Sequence, residues 1–484
     1  MATIRLDQFT PRQVRALRAI ADAASAASSP MLVGGAVRDA RLRRVELAAG
    51  VDVDVAVPTG ALALGRRVAR SLGGAFVELD TDRGAARVVA DGTQVDLTDY
   101  RAPTLADDLA ARDFTVNALA ASIPELLVGG RARIVDPTGG LADLRARRLR
   151  VPDERVLADD PLRALRGVRL EAQLGFRLTP RTVRVIRGMA PKVATVAPER
   201  VRDELIALLR VPDTARALRR LDALGLLAVV LPELAPMRTT TQPAPHRFTV
   251  LEHSLRAVAG ADLVVARVGD VTPFGEELRA HLDEPMGGGL GRSHVLKLAA
   301  LLHDVSKPET RRAIAGRVRF FEHDTIGAGR VRVIGERLRL PARVTELLER
   351  LVRHHLRPMH LAQAGLLTRR ARYRFFRDLR EDSRDLLLLT IVDAAAVTGE
   401  SPFRVWRRAG LVHELMRGWQ EEQAVIAAPP LVRGGDVMER FGLLPGPEVG
   451  RLLRRVREAQ DLGLVHDREA ALAYLDSSRG GPLE

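Results

Sequence analysis

The stretch that decides the fold is residues 31–57, MLVGGAVRDARLRRVELAAGVDVDVAV. Met31–Val33 is an apolar run with strand character, and Gly34-Gly35 is a turn. Val37–Arg44 has the pattern of a short basic helix, and Val51–Val57 that of a second strand carrying Asp52 and Asp54. A glycine turn opening a helix lets backbone N–H groups and the helix N-terminus face a phosphate without obstruction from a Cβ. Side chains alternate along a strand with period two, so Asp52 and Asp54 share a face. Two carboxylates on one face repel unless a cation lies between them, and Mg²⁺ is the expected one. Asp-x-Asp alone describes any alternating surface strand. Preceded by Gly-Gly-x-Val-Arg-Asp, which ends in Arg38 and Asp39, it describes a phosphate and metal site.

Around this stretch lies a chain of 484 residues, long enough for two to four domains. Hydrophobic content of 46% and charged content of 28% suit a globular protein. No run of 18 apolar residues is present, so no membrane partner is expected, and the opening MATIRLDQFTPRQ has no apolar signal core. The absence of cysteine excludes disulfides and thiolate metal sites and agrees with a cytoplasmic address. Net charge is +14, and all but three of the 75 basic residues are arginine. A GC-rich genome accounts for the arginine-to-lysine ratio. The excess of positive charge still calls for a polyanion, with nucleic acid first among candidates.

Downstream, a helical 60–72 is followed by extended AFVELD (75–80), ARVVAD (86–91) and QVDLTDY (94–100), which suggests a small mixed sheet with helices on one side. Asp96 lies on the last of these strands. In ARDFTVNALAAS (111–122), Arg112-Asp113 stands as a helix start, with Asn117 one turn later on the same side. IVDPTGGLADLRARRLR (134–150) is strand, Asp-Pro turn and basic helix, with Asp136 shaping the turn. In ADDPLRALRGVRLEAQLGFRL (158–178), Asp160 and Arg163 are three apart and would stand side by side on a helix. A carboxylate accepts from the exocyclic amino group of C or A, and a guanidinium donates to ring acceptors, so the pair can read a base edge. In an anonymous helix the same spacing is an ordinary ion pair.

Together these segments resemble the nucleotidyltransferases related to DNA polymerase β, and specifically the class II tRNA nucleotidyltransferase and bacterial poly(A) polymerase family. The resemblance implies an α+β fold: a polymerase-β-like mixed-sheet head (1–145), a helical neck and body with the base-reading motif (146–240), an HD domain (241–400) and a helical tail (401–484). It makes Asp52 and Asp54 the Mg²⁺ ligands and Asp96, in Asp-x-Thr-x-Tyr-Arg, a third carboxylate. It gives Gly34, Gly35, Arg38, Asp39, Arg112, Asp113 and Asn117 to the nucleotide's phosphates and sugar, and Asp160, Arg163, Arg166 and Arg169 to a protein template for the incoming base. Residue 159 is Asp where the family's element begins with Glu, and Ala111 replaces a common arginine.

From residue 246 the composition shifts, and nine of the 11 histidines fall between 246 and 360. The order His253, His303-Asp304, Asp393 suits one hard or borderline divalent metal held by separate helices. It resembles the HD phosphohydrolases, in which His323, His354 and His355 match positions that bind or steer a second ion. Lys307 in His-Asp-x-x-Lys-Pro matches a phosphate contact. In the tail, Pro445-Gly446-Pro447 precedes a helix whose Arg451, Arg454, Arg455 and Arg457 would form a basic surface for a tRNA acceptor stem.

The implied activity is template-independent transfer of CMP and AMP from CTP and ATP to the 3′ end of tRNA. The connection between Arg101 and Arg112, APTLADDLAA, is short. Members adding only CC lack a longer loop here, so CC-only, A-only and poly(A) products stand as alternatives. From another class comes an HD hydrolase with an RNA-binding N-terminal domain. Oligomeric state is left open.

Overall fold

Val53, Val55 and Val57 are buried on one face of the strand Val51–Val57, while Asp54 and Ala56 alternate onto the other. The computed structural model describes residues 2–25, 28–43, 51–271 and 273–478, with the backbone alone at 51, 52 and 420–427. Contacts divide the chain into two units, one running to Val211 and including Ala217–Val230, the other comprising Pro212–Arg216 and Leu231 onward.

The first unit holds an eight-stranded mixed sheet, made of β1 (Thr3–Arg5), β2 (Met31–Val33), β3 (Val51–Val57), β4 (Ala75–Asp80), β5 (Ala85–Ala90), β6 (Thr93–Asp99), β7 (Ala120–Ser122) and β8 (Arg131–Val135). Their order is β1-β8-β7-β2-β3-β6-β5-β4. β3 and β6 run parallel and put Asp54 directly opposite Asp96. Helices α1 (Pro11–Ala23) and α3 (Ala61–Leu72) cover one face. On the other, Val33, Ala56, Leu109, Ala118 and Ala120 form a small core beneath α2 (Gly35–Leu42) and α4 (Leu105–Ala110). α2 thus starts at the second glycine and ends before Arg43; Arg44 lies outside the described residues.

The segment after Asp113 corrects the expected helix. Thr115–Asn117 is one 3₁₀ turn, and the chain then enters β7 between β2 and β8. Sheet pairing on both sides outweighs the local helical periodicity. After α5 (Ile123–Gly129) and β8, Asp136 accepts from the N–H groups of Gly140 (2.7 Å) and Leu141 (2.9 Å), capping α6 (Gly140–Arg145). Asp143 on α6 is buried and accepts from Thr115 Oγ1 (2.8 Å) and Arg150 Nε (2.8 Å). It ties the 3₁₀ turn to the neck. β9 (Arg148–Leu149) pairs in parallel with β10 (Arg177–Leu178). Between them run α7 (Arg155–Asp159) and α8 (Arg163–Leu174), and α9 (Pro180–Met189) and α10 (Pro198–Leu209) follow.

The second unit is mainly helical. Its centre is the helix Arg292–Leu302, buried nearly all round, with Val250–Arg267 and Ser383–Thr398 packed against it. Three terminal helices, Gly434–Phe441, Pro447–Asp461 and Arg468–Ser478, enclose a separate core around Val437, Leu452, Val456 and Leu475. Of the tail arginines, Arg454 is exposed, whereas Arg457 turns onto Asp461 (2.9 Å) and the Ala428 carbonyl (2.6 Å). Among the described residues, no single helix is long and apolar enough to cross a membrane.

Candidate active site

The glycine turn, β3, β6 and α8 surround a cavity of about 640 Å³. Six arginines line it (Arg38, Arg101, Arg112, Arg163, Arg166 and Arg169) against the carboxylates of Asp39, Asp54, Asp96 and Asp113. The lining is therefore cationic overall while keeping carboxylates at one end, which suits a polyphosphate bound together with a divalent cation.

At the carboxylate end, Gly34 has φ 71°, and a Cβ there would stand 3.0 Å from Asp54 Oδ2 and 3.5 Å from Arg112 Nη1. The glycine keeps open the space beside Asp54 in which a cation and a phosphate oxygen would meet. Gly34→Ala is expected to lower turnover at least about tenfold, since the left-handed backbone costs an L-residue roughly 1–2 kcal/mol and the methyl enters that space. Steady-state kinetics against thermal unfolding separates lost chemistry from lost fold. The side chain of Asp52 lies outside the described residues; its backbone pairs with Gln94 on β6. Asp96 is held bidentately by Arg87 (Nε to Oδ1 2.8 Å, Nη2 to Oδ2 2.8 Å), so its charge is compensated by a guanidinium in this state.

A chain of polar contacts runs from α2 to α10. Arg38 donates to Asp39 through Nε (2.8 Å) and Nη2 (2.9 Å), and to Asn117 Oδ1 through Nη1 (2.6 Å). Asn117 donates to Asp113 Oδ1 (3.0 Å), and Arg166 Nη1 donates to Asp113 Oδ2 (3.2 Å). Burial alone would raise the Asp113 carboxyl, but Arg166, the Asn117 amide and the Phe114 N–H outweigh it and hold it below the usual carboxylate range. Asp113 thus remains an anion that fixes two neighbours. Glu204 on α10 continues the chain, accepting from Arg166 Nε (2.9 Å) and Arg169 Nε (2.7 Å).

Asp160 and Arg163 do not share a helix. Asp160 has extended backbone after α7, Arg163 is the first residue of α8, and Pro161 lies in the turn between. The two side chains still approach, with Arg163 Nε 3.9 Å from Asp160 Oδ2. Arg163 Nη1 donates to the carbonyls of Ala111 (3.0 Å) and Val156 (3.0 Å), which fixes the guanidinium plane. Asp160 Oδ2 accepts from Arg200 (2.8 Å), while its Oδ1 is buried without a partner.

The second unit contains a distinct centre. His253 stands on the helix Val250–Arg267, His303 caps Arg292–Leu302, and Asp304 follows it. His323 opens the helix His323–Arg337, His355 caps Ala342–His354, and Asp393 is on Ser383–Thr398. The Nδ1 atoms of His303, His323 and His355 lie 3.0, 3.0 and 2.7 Å from the carbonyls of Ala300, Phe320 and Val352. A carbonyl only accepts, so each Nδ1 carries the proton and each Nε2 presents a lone pair inward. His253 and His303 Nε2 are 3.2 Å apart, and His323 and His355 Nε2 are 3.3 Å apart. Asp304 faces both pairs, with Oδ2 3.2 Å from His303 Nε2 and Oδ1 3.5 Å from His323 Nε2. Asp393 Oδ1 lies 3.0 Å from His253 Nε2, and Lys307 Nζ lies 2.7 Å from Asp304 Oδ2.

Both Asp304 oxygens are buried; Oδ2 is paired with Lys307, and Oδ1 has no hydrogen-bond partner. Convergent lone pairs and a buried carboxylate oxygen without a hydrogen bond fit two divalent cations sharing Asp304. Burial pushes His355 down to about 4 and lowers His323, so both are neutral at physiological pH and keep their lone pairs. His354 is not part of the cluster. It is half-buried with Arg357 and Asp378 nearby, because consecutive helical residues point about 100° apart and only His355 faces inward.

Residues 31–150 match the poly A polymerase head domain, 175–238 the probable RNA and SrmB-binding site of polymerase A, and 250–398 the HD domain. The chain is 40% identical to the A-adding tRNA nucleotidyltransferase of Deinococcus radiodurans, over 92% of this chain and 94% of that one. It is 37% identical to the CC-adding tRNA nucleotidyltransferase of Thermus thermophilus, over 93% of each. The chain belongs to the tRNA nucleotidyltransferase family. A CCA-adding enzyme solved in complex with CTP shares its fold at a TM-score of 0.61 and 18% identity, over 99% of this chain and 100% of that one. Nucleotidyltransferases of this family use a divalent metal.

Three residues that hold the site's side chains have no signal in the motifs: Arg87 on Asp96 and, from the body, Arg200 on Asp160 and Glu204 on Arg166 and Arg169. Arg87 alone was within reach of the sequence, since pairing the β5 and β6 alternations sets it opposite Asp96.

Proposed function

We propose that the protein adds CMP to the 3′ end of tRNA lacking its terminal nucleotides, without a nucleic-acid template, and stops after CC. The observation carrying this reading is the short connection 102–111. Asp108, 2% exposed, accepts from the Arg101 N–H (3.0 Å) and from Arg112 Nη2 (3.2 Å). The segment is thereby pinned to the rim of the cavity rather than free to reshape it between a pyrimidine and a purine. Four relatives covering at least nine-tenths of this chain are named as A-adding or CC-adding, which favours a one-base enzyme. The 40% identity to the A-adding member makes A-only the second reading.

In this mechanism Gly34 and Gly35 open α2 onto the triphosphate, and Arg112 neutralises an oxygen beside Asp54. Asp52 and Asp54 would hold the cation, Mg²⁺ in our reading, with Asp96 as a third carboxylate once Arg87 turns to phosphate. Bound there, it would polarise the α-phosphate and stabilise charge in the in-line displacement. The 3′ hydroxyl gives up its proton to solvent as its oxygen bonds to the α-phosphorus, the bond to the bridging oxygen breaks, and diphosphate leaves. Arg163, locked by two carbonyls, and the orphaned Asp160 Oδ1 suit a base edge that offers acceptors and an amino donor, as cytosine does. Arg38, Asp39, Asp113, Asn117, Arg166 and Arg169 hold the sugar and phosphate side. The site of action in this reading is the cytoplasm.

The HD centre supports a second activity, metal-dependent hydrolysis of phosphate esters. His253, His303, Asp304 and Asp393 would hold one ion and His323 and His355 its neighbour. Lys307 would meet a phosphate oxygen.

Pure protein incubated with tRNA lacking CCA and with CTP, ATP or both tests the product. CTP is expected to extend the tRNA by two residues and ATP by none. Addition of A to tRNA ending in CC overturns the CC-only reading.

A further inference from the structure

The strands Arg311–Ile314 and Arg317–Phe320 form an antiparallel ribbon that the two activities above leave without a role. Its turn is Ala315-Gly316 with φ of 49° and 73°, the backbone of a two-residue hairpin loop that twists with its strands. Arg312 stands opposite Arg319 and Ile314 opposite Arg317, so three guanidiniums and an isoleucine share one face. All four are exposed, Ile314 at 53%, and Phe321 just beyond the strand at 45%.

Like charges directly opposite on a ribbon are destabilising, and a two-stranded hairpin is marginal to begin with. Arginine-rich composition explains how many arginines the surface carries, not why three share one face of a two-stranded ribbon. Among the described residues, Arg317 and Arg319 have no carboxylate partner, and Arg312 donates only to the carbonyls of Glu309 (3.2 Å) and Arg311 (3.0 Å). On the helices beside it, Arg330 is paired with Glu309 and Arg332 with Glu349.

The opposite face ties the ribbon to the HD centre. Lys307 Nζ lies 5.4 Å from the centre of the Phe320 ring, which meets His323 edge-on at 6.4 Å. Glu322, left-handed at φ 56°, makes the corner from the ribbon into the helix bearing His323. Guanidiniums two residues apart on a strand recur about every 6.6–6.8 Å. They bind phosphates bidentately, and exposed apolar and aromatic side chains among them accept base faces.

We propose that the ribbon Arg311–Phe320 grips single-stranded RNA and delivers a strand end bearing a phosphate ester to the HD centre. This rests on the hydrolytic reading of that centre for its chemistry alone. Water oxygen bonds to phosphorus, the P–O ester bond breaks, and the leaving oxygen takes a proton from the attacking water. The substrate class is then an RNA terminus rather than a free mononucleotide.

The test uses the full chain and the triple variant Arg312→Gln/Arg317→Gln/Arg319→Gln. The probe is a ten-nucleotide single-stranded RNA with a 3′-phosphate and a photoreactive thiouridine near that end. Crosslinks are expected on residues 311–321 of the parent and not of the variant. Affinity at low salt should fall at least tenfold, and the slope of log affinity against log salt should shrink by about 2 for three phosphate contacts on a single strand. Phosphate release from this RNA should fall in parallel, while release from p-nitrophenyl phosphate and CTP incorporation into tRNA stay within twofold. Unchanged affinity, slope and crosslinks overturn the ribbon, even where Asp304→Ala shows release to depend on the HD centre. Crosslinks to the ribbon with no Asp304-dependent release under Mg²⁺, Mn²⁺ or Co²⁺ uphold it and overturn the hydrolytic reading instead.

Discussion

Asp54→Asn is expected to lower CMP incorporation at least about a thousandfold without lowering thermal stability. The two effects have separate causes. Asparagine keeps the shape of the side chain and a carbonyl oxygen but not the charge that a divalent cation needs. A metal ion stabilises transition-state charge by several kcal/mol, and a loss of about 4 kcal/mol is three decades of rate. Asp54 faces Asp96 across the parallel pair β3–β6 and alternates onto the cavity side of the strand. Asparagine is isosteric with aspartate and stands on the cavity side of the strand, so the fold loses no packing. Single-turnover incorporation with saturating CTP, beside a melting curve in chelator, reads both. A variant retaining a tenth of parental turnover would show that this carboxylate is not a metal ligand. The contrasting variant is Asp96→Asn, which strands the Arg87 guanidinium that now holds both Asp96 oxygens and should lower the melting temperature.

The same features explain how much of the site could be read from the chain. Gly34, Asp54 and the His303-Asp304 pair are local signals: a positive φ, a period-two alternation, a helix end. Each survives folding because it depends on neighbours a few residues away. The turn Thr115–Asn117 departs from the expected helix because β2 and β8 capture the residues after it, and no window of one segment contains those strands. Asp160 is a different kind of miss. The residue before proline is driven out of the helical region, and Pro161 says so in the sequence; the three-residue spacing to Arg163 outweighed a signal that was present. His354 and His355 differ only in helical phase, which a sequence leaves ambiguous near a helix end. Glu204 had no local mark, because both its partners lie more than thirty residues upstream.

That last residue carries the second large expectation. Glu204 is 9% exposed and accepts the Nε–H of Arg166 and of Arg169, two guanidiniums that line the cavity. Asp113 takes one Nη of Arg166 (3.2 Å) and Gln173 one Nη of Arg169 (3.0 Å). Glu204 therefore sets the planes of two arginines without touching the nucleotide itself, and it is a positioning residue. In Glu204→Gln the amide oxygen can satisfy one arginine, and the amide nitrogen, a donor, faces the other. Hydrogen bonds to charged groups are worth about 1.5–3 kcal/mol, and 1.4 kcal/mol is tenfold in binding. KM for CTP is accordingly expected to rise at least about tenfold while kcat falls by less than threefold, since the carboxylates around Asp54 are untouched. A purely structural role would instead lower the melting temperature and the amount of active enzyme, leaving KM unchanged. Glu204→Asp, which keeps the charge on a shorter arm, should recover part of the lost affinity. Glu204→Gln with a parental KM would sink the assignment, and the arginines would then be held in place by Asp113 and Gln173 alone.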